Sequence, residues 1–519
     1  MPEFEADVIV VGAGSAGAAA ARRLVDAGMK VILLEAGARD TNPAIHDPTR
    51  AHELWFAPED WAYRTTPQPD AAGRRLHWPR GKVLGGSSSL NGMIWVRGTR
   101  RDWDHWAYVG NAGWSWDDVL PIFKRIEDFD RGASELHGEG GIVHVISDYE
   151  AAPIHQSIVA AAQESGIPFN EDHNGPEIEG VSYMQLSIRD GVRQSTATAY
   201  LKPIADHEDL KIVTGAHARR LLLDGARCIG VEWVRDDGGI ETSTASEVIV
   251  SCGTIESPPL LMRSGIGPAD HLREFGIEVV ADLPGVGANL HDHLLSPVIF
   301  SAEREIGPPT PGLFAAQTHL WARSRPGLAG PDIQPIHFMV PLYEDWMEGP
   351  ENGFSLMAGM IRPASRGTIR LTGPELIDEL AIDPRALSRD ADLESLKAAV
   401  VLCREIGGAP ALRGEWGARE LYPGPEVKSD RQIEDWVRRS AITYHHQVGT
   451  CKMGVDAEAV VDPRLRVHGI EGLRVADASI MPAVTSGNTN APAILIGERV
   501  ADFLTEDQSA AASAATVTA

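Results

Sequence analysis

The sequence predicts an α/β fold, α+β overall, in which a domain with a parallel-sheet unit is joined to a second domain built on an antiparallel sheet flanked by helices. Three observations carry this prediction. A β-turn-α-β pattern opens the chain, alternating apolar and polar residues dominate 298–440, and strand and helix patterns return after residue 440. Alternation with period two is typical of antiparallel sheets, whereas short apolar runs are typical of buried parallel strands.

Composition and charge limit the classes of function. The chain has 519 residues, 43% of them hydrophobic, and a formal net charge of −26. This negative charge repels phosphate backbones and anionic lipid surfaces, so nucleic acid is not an expected partner. The four cysteines are far apart and form no CxxC pair, which fits a reducing compartment. Since the sequence shows neither a signal-peptide pattern nor an apolar run long enough for a membrane span, it predicts a cytoplasmic protein.

The chain opens with a Rossmann-type pattern. Residues 7–11 (DVIVV) read as a buried strand, the helical AGAAAARRLVDAG follows a glycine turn, and KVILLEAG supplies a second strand. The turn contains G-x-G-x-x-G in the strand-to-helix context of a dinucleotide-binding turn, and an acidic residue ends the second strand, where it binds a ribose hydroxyl. The pattern predicts an ADP-containing ligand, with FAD and NAD as alternatives. The residues predicted to hold it are Gly12, Gly14, Ser15, Ala16, Gly17, Glu35 and Ala36.

The rest of the chain divides into segments that differ in composition and hydrophobic periodicity. Residues 38–110 lack periodicity, as expected of long functional loops. Residues 210–250 are rich in strand patterns, and 298–440 combine alternating stretches with two helical ones. The small, polar tail QSAAASAATVTA is predicted to be disordered. The tryptophans of the 38–110 segment have two interpretations, a lid or part of the core, and the core is preferred; they are Trp55, Trp61, Trp78 and Trp95.

Five ordered segments resemble the glucose-methanol-choline (GMC) oxidoreductase family. GKVLGGSSSLNGMIWVRG, residues 81–98, resembles the first family signature, and GTIESPPLLMRSGIG, residues 253–267, resembles the second. GVGANLHDH, HHQVGTCKMG with LRVADASIMP, and SGNTNAPAILIGERVAD are similar to further family segments. The resemblance covers nearly the whole chain, and chance does not explain so many ordered motifs.

The resemblance implies FAD rather than NAD, and an FAD-binding domain assembled from separate segments. A substrate-binding domain would cover one face of the flavin. The predicted bounds are 1–150, 195–297 and 441–507 for the FAD-binding domain, 151–194 and 298–440 for the substrate-binding domain, and 508–519 for the tail.

The resemblance also assigns further cofactor contacts. The residues from the first signature are Val83, Gly86, Ser87, Asn91, Gly92, Met93 and Ile94. Ala218 would contact the adenine side, Asp477 and Ala478 the pyrophosphate and ribityl chain, and Asn488 and Thr489 the isoalloxazine ring. Some family members attach FAD covalently through a histidine in this loop. Leu90 occupies that position here and cannot form the bond, so non-covalent FAD is expected.

By the same resemblance, His446 is the catalytic base and Asn490 is its partner. A neutral histidine, with a pKa near ~6.5, can take a hydroxyl proton at physiological pH. An asparagine amide can donate to the developing alkoxide without competing as a base. Adjacent residues of an extended segment point to opposite faces, so His445 is expected to be a packed or hydrogen-bonded bystander. The histidine pair has no convincing metal-site spacing, and the His-Asp-His of 291–293 falls inside a segment that resembles the family and is interpreted as structural, so no metal is predicted.

The leading functional prediction is FAD-dependent oxidation of a small-molecule alcohol to an aldehyde or ketone. Hydride would pass to flavin N5, and the electrons would then pass to O2 or a quinone-type acceptor. Two alternatives are a lyase on the same scaffold, either a hydroxynitrile lyase or a photodecarboxylase, and a non-enzymatic flavoprotein. The sequence leaves open which alcohol is oxidised, whether the protein is an oxidase or a dehydrogenase, and its oligomeric state.

Overall fold

The computed structural model describes residues 4–518 of the chain. Its α-helices are α1 (Ser15–Asp26), α2 (Pro43–His46), α3 (Arg100–Tyr108), α4 (Trp116–Ile126), α5 (Pro153–Glu164), α6 (Gly253–Arg263), α7 (Ala269–Glu274), α8 (Asp390–Gly407), α9 (Pro410–Arg413), α10 (Asp430–Ser440) and α11 (Asn490–Thr518). Short 3-10 turns cover Pro48–Leu54, Pro69–Ala71, Gly86–Ser89, Lys202–Ile204 and Ala478–Ile480, and a π-helical turn covers Ala197–Leu201.

The strands are distributed along the whole chain. They are β1 (Val8–Val11), β2 (Val31–Glu35), β3 (Tyr63–Arg64), β4 (His77–Trp78), β5 (Glu127–Phe129), β6 (Val143–Val145), β7 (Gly180–Tyr183), β8 (Ile188–Arg189), β9 (Val192–Arg193), β10 (Leu210–Thr214), β11 (Ala216–Asp224), β12 (Arg227–Arg235), β13 (Ile240–Thr244), β14 (Glu247–Val250), β15 (Ile266–Gly267), β16 (Ala281–Asp282), β17 (Leu294–Ser301), β18 (Ala316–Trp321), β19 (Ile336–Phe338), β20 (Gly353–Met360), β21 (Thr368–Arg370), β22 (Ala381–Asp383), β23 (Arg419–Tyr422), β24 (Ile442–Thr443) and β25 (Leu473–Val475).

A parallel five-stranded sheet has the order β10-β2-β1-β14-β25. Its central strands β1 and β2 read VIVV and VILLE and are buried at every position. Parallel strands covered on both faces carry such continuous apolar runs. Helices α1 and α11 pack closely against each other, since a Cβ on Gly497 would lie 2.1 Å from the Ala16 carbonyl oxygen. The predicted β-turn-α-β unit is confirmed, and β25 shows how the C-terminal segment completes the sheet.

An antiparallel seven-stranded sheet has the order β23-β17-β20-β19-β18-β7, with β24 also paired to β17. Helices α5, α8 and α10 pack against it. Neighbouring residues on its strands face different sides, because side chains alternate along a strand. Leu294 and Leu356 join the cluster with α8, whereas Leu295 and Met357 join a second cluster with Tyr444. The predicted antiparallel sheet with flanking helices is confirmed. The face of the sheet opposite these helices packs against residues of the 93–96 segment.

The two sheets have separate hydrophobic cores. The largest cluster surrounds the parallel sheet and includes α1 and most of the buried part of α11. A second cluster joins the antiparallel sheet to α5, α8 and α10. The domain bounds given above stay a prediction, which this separation of cores supports.

Two local predictions differ from the structure. Helix α11 continues through 508–518, where a disordered tail was predicted, because the alanine-rich segment has high helix propensity; the end of that prediction, residue 519, lies outside the described residues. Of the loop tryptophans, Trp78 and Trp95 are fully buried as predicted. Trp55 is instead 45% exposed, and with Trp61 it lines a cavity.

Candidate active site

A cavity of about 1130 Å³ lies between the two sheets. Its dinucleotide end is lined by the loop after β1, the end of β2 and the loop around Gly86. Its catalytic end is lined by His446, Asn488 and residues of β17, β19 and β20. Ligand cavities commonly measure about 300–1,000 Å³, so this space suits a dinucleotide together with a small substrate.

Glycines form the floor of the dinucleotide end. Gly12 follows β1 with φ +97°, a left-handed conformation that favours glycine. A Cβ on Gly86 would lie 2.7 Å from the Cα of Gly14, so the two cavity loops approach each other as bare backbone. Helix α1 begins at Ser15 and turns its free N–H groups towards the same space. Such a convergence of backbone N–H groups and a helix N-terminus binds phosphate groups.

Glu35 ends β2 at the cavity wall. Its Oε2 accepts from the Ala13 N–H at 2.9 Å, and its Oε1 accepts from the Gly37 N–H at 2.8 Å. Burial raises the pKa of its carboxyl to about 7, although both hydrogen bonds and the charge of Lys82 act in the opposite direction. Each oxygen keeps a second acceptor site, so the fixed carboxylate can also accept a ribose hydroxyl.

Most of the residues predicted to bind the cofactor line this cavity. They are Gly12, Gly14, Ser15, Ala16, Glu35, Ala36, Gly86, Ser87, Asn91, Gly92, Ile94, Ala218, Asp477, Ala478, Asn488 and Thr489. Gly17, Val83 and Met93 do not line it. Gly17 packs on the Gly12 carbonyl, where a Cβ would lie 1.9 Å from the oxygen, and the other two are fully buried in hydrophobic clusters. Their contribution is to pack the cavity walls.

His446 lies at the catalytic end, just after β24, and is 6% exposed. Its Nε2 is 3.1 Å from Asn488 Nδ2, and its Nδ1 is 3.0 Å from His293 Nδ1. The Tyr444 ring stacks on the imidazole, with ring centroids 4.6 Å apart. Burial, followed by His293, His445 and Arg80, lowers the pKa of His446 well below its ordinary value, so the ring is neutral.

The asparagine within hydrogen-bond distance of His446 is Asn488 rather than the predicted Asn490. The Asn490 carboxamide is used elsewhere, because its Oδ1 accepts from the Ser15 hydroxyl at 2.7 Å. Both asparagines of GNTN line the cavity, two residues apart. Helix α11 begins at Asn490 and turns its side chain towards the glycine loop, a change of direction that spacing along the sequence does not reveal.

The hydrogen bonds of Asn488 determine the tautomer of His446. Gln334 Nε2 donates to Asn488 Oδ1 at 3.3 Å, which turns Asn488 Nδ2 towards the imidazole. Nε2 of His446 therefore accepts, and the hydrogen of the neutral ring resides on Nδ1. That Nδ1–H donates to His293 Nδ1, and burial lowers the pKa of His293 to about 3, which keeps it a neutral acceptor. The sequence prediction treated the 291–293 motif as structural, and Gln334 lies outside every motif.

Asp292 fixes the backbone of the histidine segment. Its Oδ1 accepts from the His446 N–H at 2.8 Å, and its Oδ2 accepts from Thr443 Oγ1 at 2.5 Å and from Gln447 Nε2 at 3.1 Å. Burial raises the pKa of this carboxyl to about 7, while these hydrogen bonds oppose the increase. The 291–293 motif thus supplies both a neighbour and a support for His446.

His445 also lines the cavity, where its ring has a neighbour different from those of His446. Its backbone is left-handed, with φ +67°, so the argument from alternation along an extended strand does not apply here. Its ring lies against Trp55, with centroids 5.3 Å apart, and its carbonyl accepts from Arg80 Nη2 at 2.7 Å. The structure brings both histidines to one cavity and gives only His446 the asparagine neighbour.

The segment before Asn488 is anchored by the buried carboxylate of Asp102, which pairs with the partly exposed Arg362. Asp102 accepts from the Ser486 N–H and Oγ, both at 2.9 Å, and pairs with Arg362 at 2.7 Å. Asp102 also belongs to the capping box of α3. A carboxylate with several donors holds its segment rigidly. Sequence patterns do not reveal this support, because its three members are far apart in the chain.

Two other features are absent from residues 4–518, a metal-binding cluster and a membrane-spanning helix. Among these residues, no three His, Cys, Asp or Glu side chains are grouped so that they could hold a metal ion. No helix within the same span has the length and apolarity needed to cross a bilayer.

Comparisons with known proteins agree with this geometry. The N-terminal GMC oxidoreductase model matches residues 6–295 and the C-terminal one matches 363–497. Oxygen-dependent choline dehydrogenase of Brucella anthropi is 39% identical, over 96% of each chain. Alcohol dehydrogenase (acceptor) of Pseudomonas putida is 38% identical, over 96% of this chain and 95% of the relative. The crystal structure of pyridoxine 4-oxidase from Mesorbium loti superposes with a TM-score of 0.91 at 38% identity, over 96% of this chain and 99% of that chain.

The matched models span both the glycine cradle and the His446–Asn488 pair. The cradle, the fixed Glu35 carboxylate and the size of the cavity fit the dinucleotide cofactor of the family. The chain therefore belongs to the GMC oxidoreductase family and is an FAD-dependent oxidoreductase that acts on CH–OH groups.

Proposed function

We propose that the protein oxidises an alcohol with His446 as the base and Asn488 as the donor to the substrate oxygen. The observation that carries this proposal is the 3.1 Å contact between His446 Nε2 and Asn488 Nδ2 inside the cavity. A hydroxyl oxygen placed beside both atoms would donate its proton to Nε2 and accept a hydrogen bond from Nδ2. Bound FAD supplies the acceptor for the carbinol hydride.

The chain prepares the base before the substrate arrives. A neutral ring with its lone pair on Nε2 can accept a proton at once, and a positioned base contributes about 10²–10⁴-fold in rate. The Nδ1–H to His293 contact stabilises this tautomer, so His293 acts as a positioning residue. Gln334 has the same kind of role for the amide of Asn488.

We propose that FAD is held without a covalent bond. At the dinucleotide end, Glu35 and the glycine loops would hold the ADP portion. Leu90, in the GGSSSLNG loop, carries no nucleophilic atom. Acid precipitation should release the flavin completely into the supernatant, whereas flavin that stays with the precipitate would contradict this mode of attachment.

The acceptor of the second half-reaction is proposed to be O2 or a quinone-type compound. Anaerobically reduced protein should regain its flavin absorbance when mixed with air or with a soluble quinone. The faster of the two reactions identifies the acceptor class.

The experiment that tests the proposed reaction is anaerobic mixing of the holoprotein with a panel of alcohols. The expected result is loss of the flavin absorbance band together with formation of one aldehyde or ketone per flavin. A flavin that dithionite reduces but that no alcohol reduces would contradict the proposal.

A further inference from the structure

The catalytic end of the cavity is apolar wherever the antiparallel-sheet domain forms it. Sixteen residues between 295 and 446 line the cavity, and none of them is Asp, Glu, Lys or Arg. Their central members are Leu295, Phe314, Ile336, Phe338, Met357 and Ile442. The polar side chains in this set belong to Tyr444, His445 and His446, the last of which is the proposed base.

The acidic side chains that line the cavity all come from the dinucleotide half, and each already has partners. Glu35 accepts two backbone N–H bonds, as described above. Asp477 accepts from the Ser257 hydroxyl at 2.6 Å and from two backbone N–H groups. Glu256 accepts from the Tyr63 hydroxyl at 2.5 Å, and Asp47 accepts from the Thr49 hydroxyl at 2.7 Å. Among the described residues, no carboxylate of this cavity lies on the sheet side to pair with a cationic substrate.

This distribution has a direct consequence for substrate charge. A buried cation without a counter-ion or hydrogen bonds is strongly disfavoured, and sugar hydroxyls without partners are disfavoured in the same way. An apolar group gains from burial against the same wall. Phe314 and Phe338 meet edge to face, with centroids 5.8 Å apart, a geometry suited to a further aromatic ring.

We infer that the substrate is an uncharged alcohol whose carbinol carries an aromatic or other apolar group, and that quaternary ammonium alcohols are excluded. This inference rests on the proposed function, since it describes the substrate of the same site. It separates this chain from the choline dehydrogenases to which it is 39% identical.

A matched pair of alcohols tests the inference. Choline and 3,3-dimethylbutan-1-ol have the same shape and differ in charge, because carbon replaces the quaternary nitrogen. The measurement is kcat/KM for flavin reduction of the holoprotein under anaerobic conditions, with benzyl alcohol as the aromatic case and glucose as the polar one. We expect kcat/KM of the neutral isostere to exceed that of choline by at least about 100-fold, and kcat/KM of benzyl alcohol to exceed that of glucose by a similar factor. Each tenfold in such a ratio corresponds to about 1.4 kcal/mol.

A pair of variants adds a charge where the structure has none. Met357, on β20, is 2% exposed and lines the cavity. Met357→Glu should raise the ratio of choline to isostere at least about tenfold, whereas the uncharged control Met357→Gln should leave it within about threefold, because the two side chains differ only in charge. Flavin content and Tm show whether each variant is folded. The comparison of choline with its isostere on the wild-type protein tests the inference even if neither variant folds.

The outcomes separate the two proposals. Choline equal to or better than its isostere would overturn the inference while leaving alcohol oxidation in place, and would indicate recognition by aromatic faces instead. Holoprotein reduced by dithionite but by none of the four alcohols would overturn the proposed function and the inference together.

Discussion

The two ends of the cavity are built from different parts of the chain. The dinucleotide end consists of backbone N–H groups and glycines from two loops, with the Glu35 carboxylate held by backbone donors at the end of β2. The catalytic end consists of side chains that come from four separate segments, at His293, Gln334, His446 and Asn488. The glycines of the dinucleotide end leave no room for a side chain but bring only backbone to the cofactor, whereas the catalytic end depends on the chemistry of each side chain. The two ends should therefore fail in different ways when mutated.

The largest effect is expected for His446→Ala, which removes the proposed base and leaves the dinucleotide end intact. Flavin reduction by a good alcohol substrate should slow by about 10²–10⁴-fold. The FAD content should match that of the wild type, as measured from absorbance after denaturation. His105→Ala, exposed on α3 outside the cavity, is the matched control and should reduce at the normal rate. Loss of FAD along with activity would show that the two ends are not independent.

A comparison of Asn488→Ala with Asn490→Ala tests which asparagine serves the base. The first removes the donor beside Nε2 and should lower the reduction rate by about 10²–10³-fold. The second breaks only the contact with Ser15, and the reduction rate per bound flavin should stay within about tenfold, as expected for one hydrogen bond remote from the reacting oxygen. The reverse ranking would restore the pairing predicted from the sequence.

At the dinucleotide end, Glu35→Gln should weaken FAD binding without slowing the chemistry. The new amide NH2 would face one of two backbone N–H donors, and an unsatisfied buried group costs about 1–3 kcal/mol. Titration of apoprotein with FAD should show an increase in Kd of roughly 10–100-fold, while the reduction rate of fully loaded protein stays unchanged. A slower loaded enzyme with normal FAD affinity would contradict this division of roles.

His293 provides a smaller effect at the catalytic end. His293→Leu leaves the Nδ1–H of His446 without an acceptor, and the limiting rate of reduction should drop about tenfold while substrate affinity stays the same. His293→Asn places an amide oxygen where Nδ1 was and should recover most of the rate. A purely structural role would predict equal loss in both variants, with a lower Tm.

The smallest effect concerns pH. Burial lowers the pKa of His446 below its ordinary value, so the base stays unprotonated as pH falls from 8 to about 6.5. The reduction rate of the holoprotein should be flat over this range and decline only at lower pH, where the imidazole gains its proton. A decline centred above pH 6.5 would indicate a base whose pKa burial has not lowered.

Local sequence patterns predict much of the fold of this protein. The glycine turn, β1 and β2 could be predicted because each depends on consecutive residues: a left-handed turn favours glycine, and a doubly covered strand requires an apolar run. The antiparallel sheet followed from alternation, and His446 from a long family motif. The resemblance pairs Asn490 rather than Asn488 with His446. Two asparagines at spacing two look alike in a sequence, and only the structure shows that one of them begins a helix.

The sequence by itself determined the class of cofactor cradle and the two kinds of sheet, and it singled out His446 as the proposed base. Only the tertiary structure decided which amide meets that base, which histidine fixes its tautomer, and that an apolar sheet face forms the opposite wall. The physical reason is how far apart in the chain the interacting residues lie. Backbone conformation and strand burial depend on neighbours in the chain, whereas hydrogen bonds between side chains that are 42 and 153 residues apart depend on how the two domains close over one cavity.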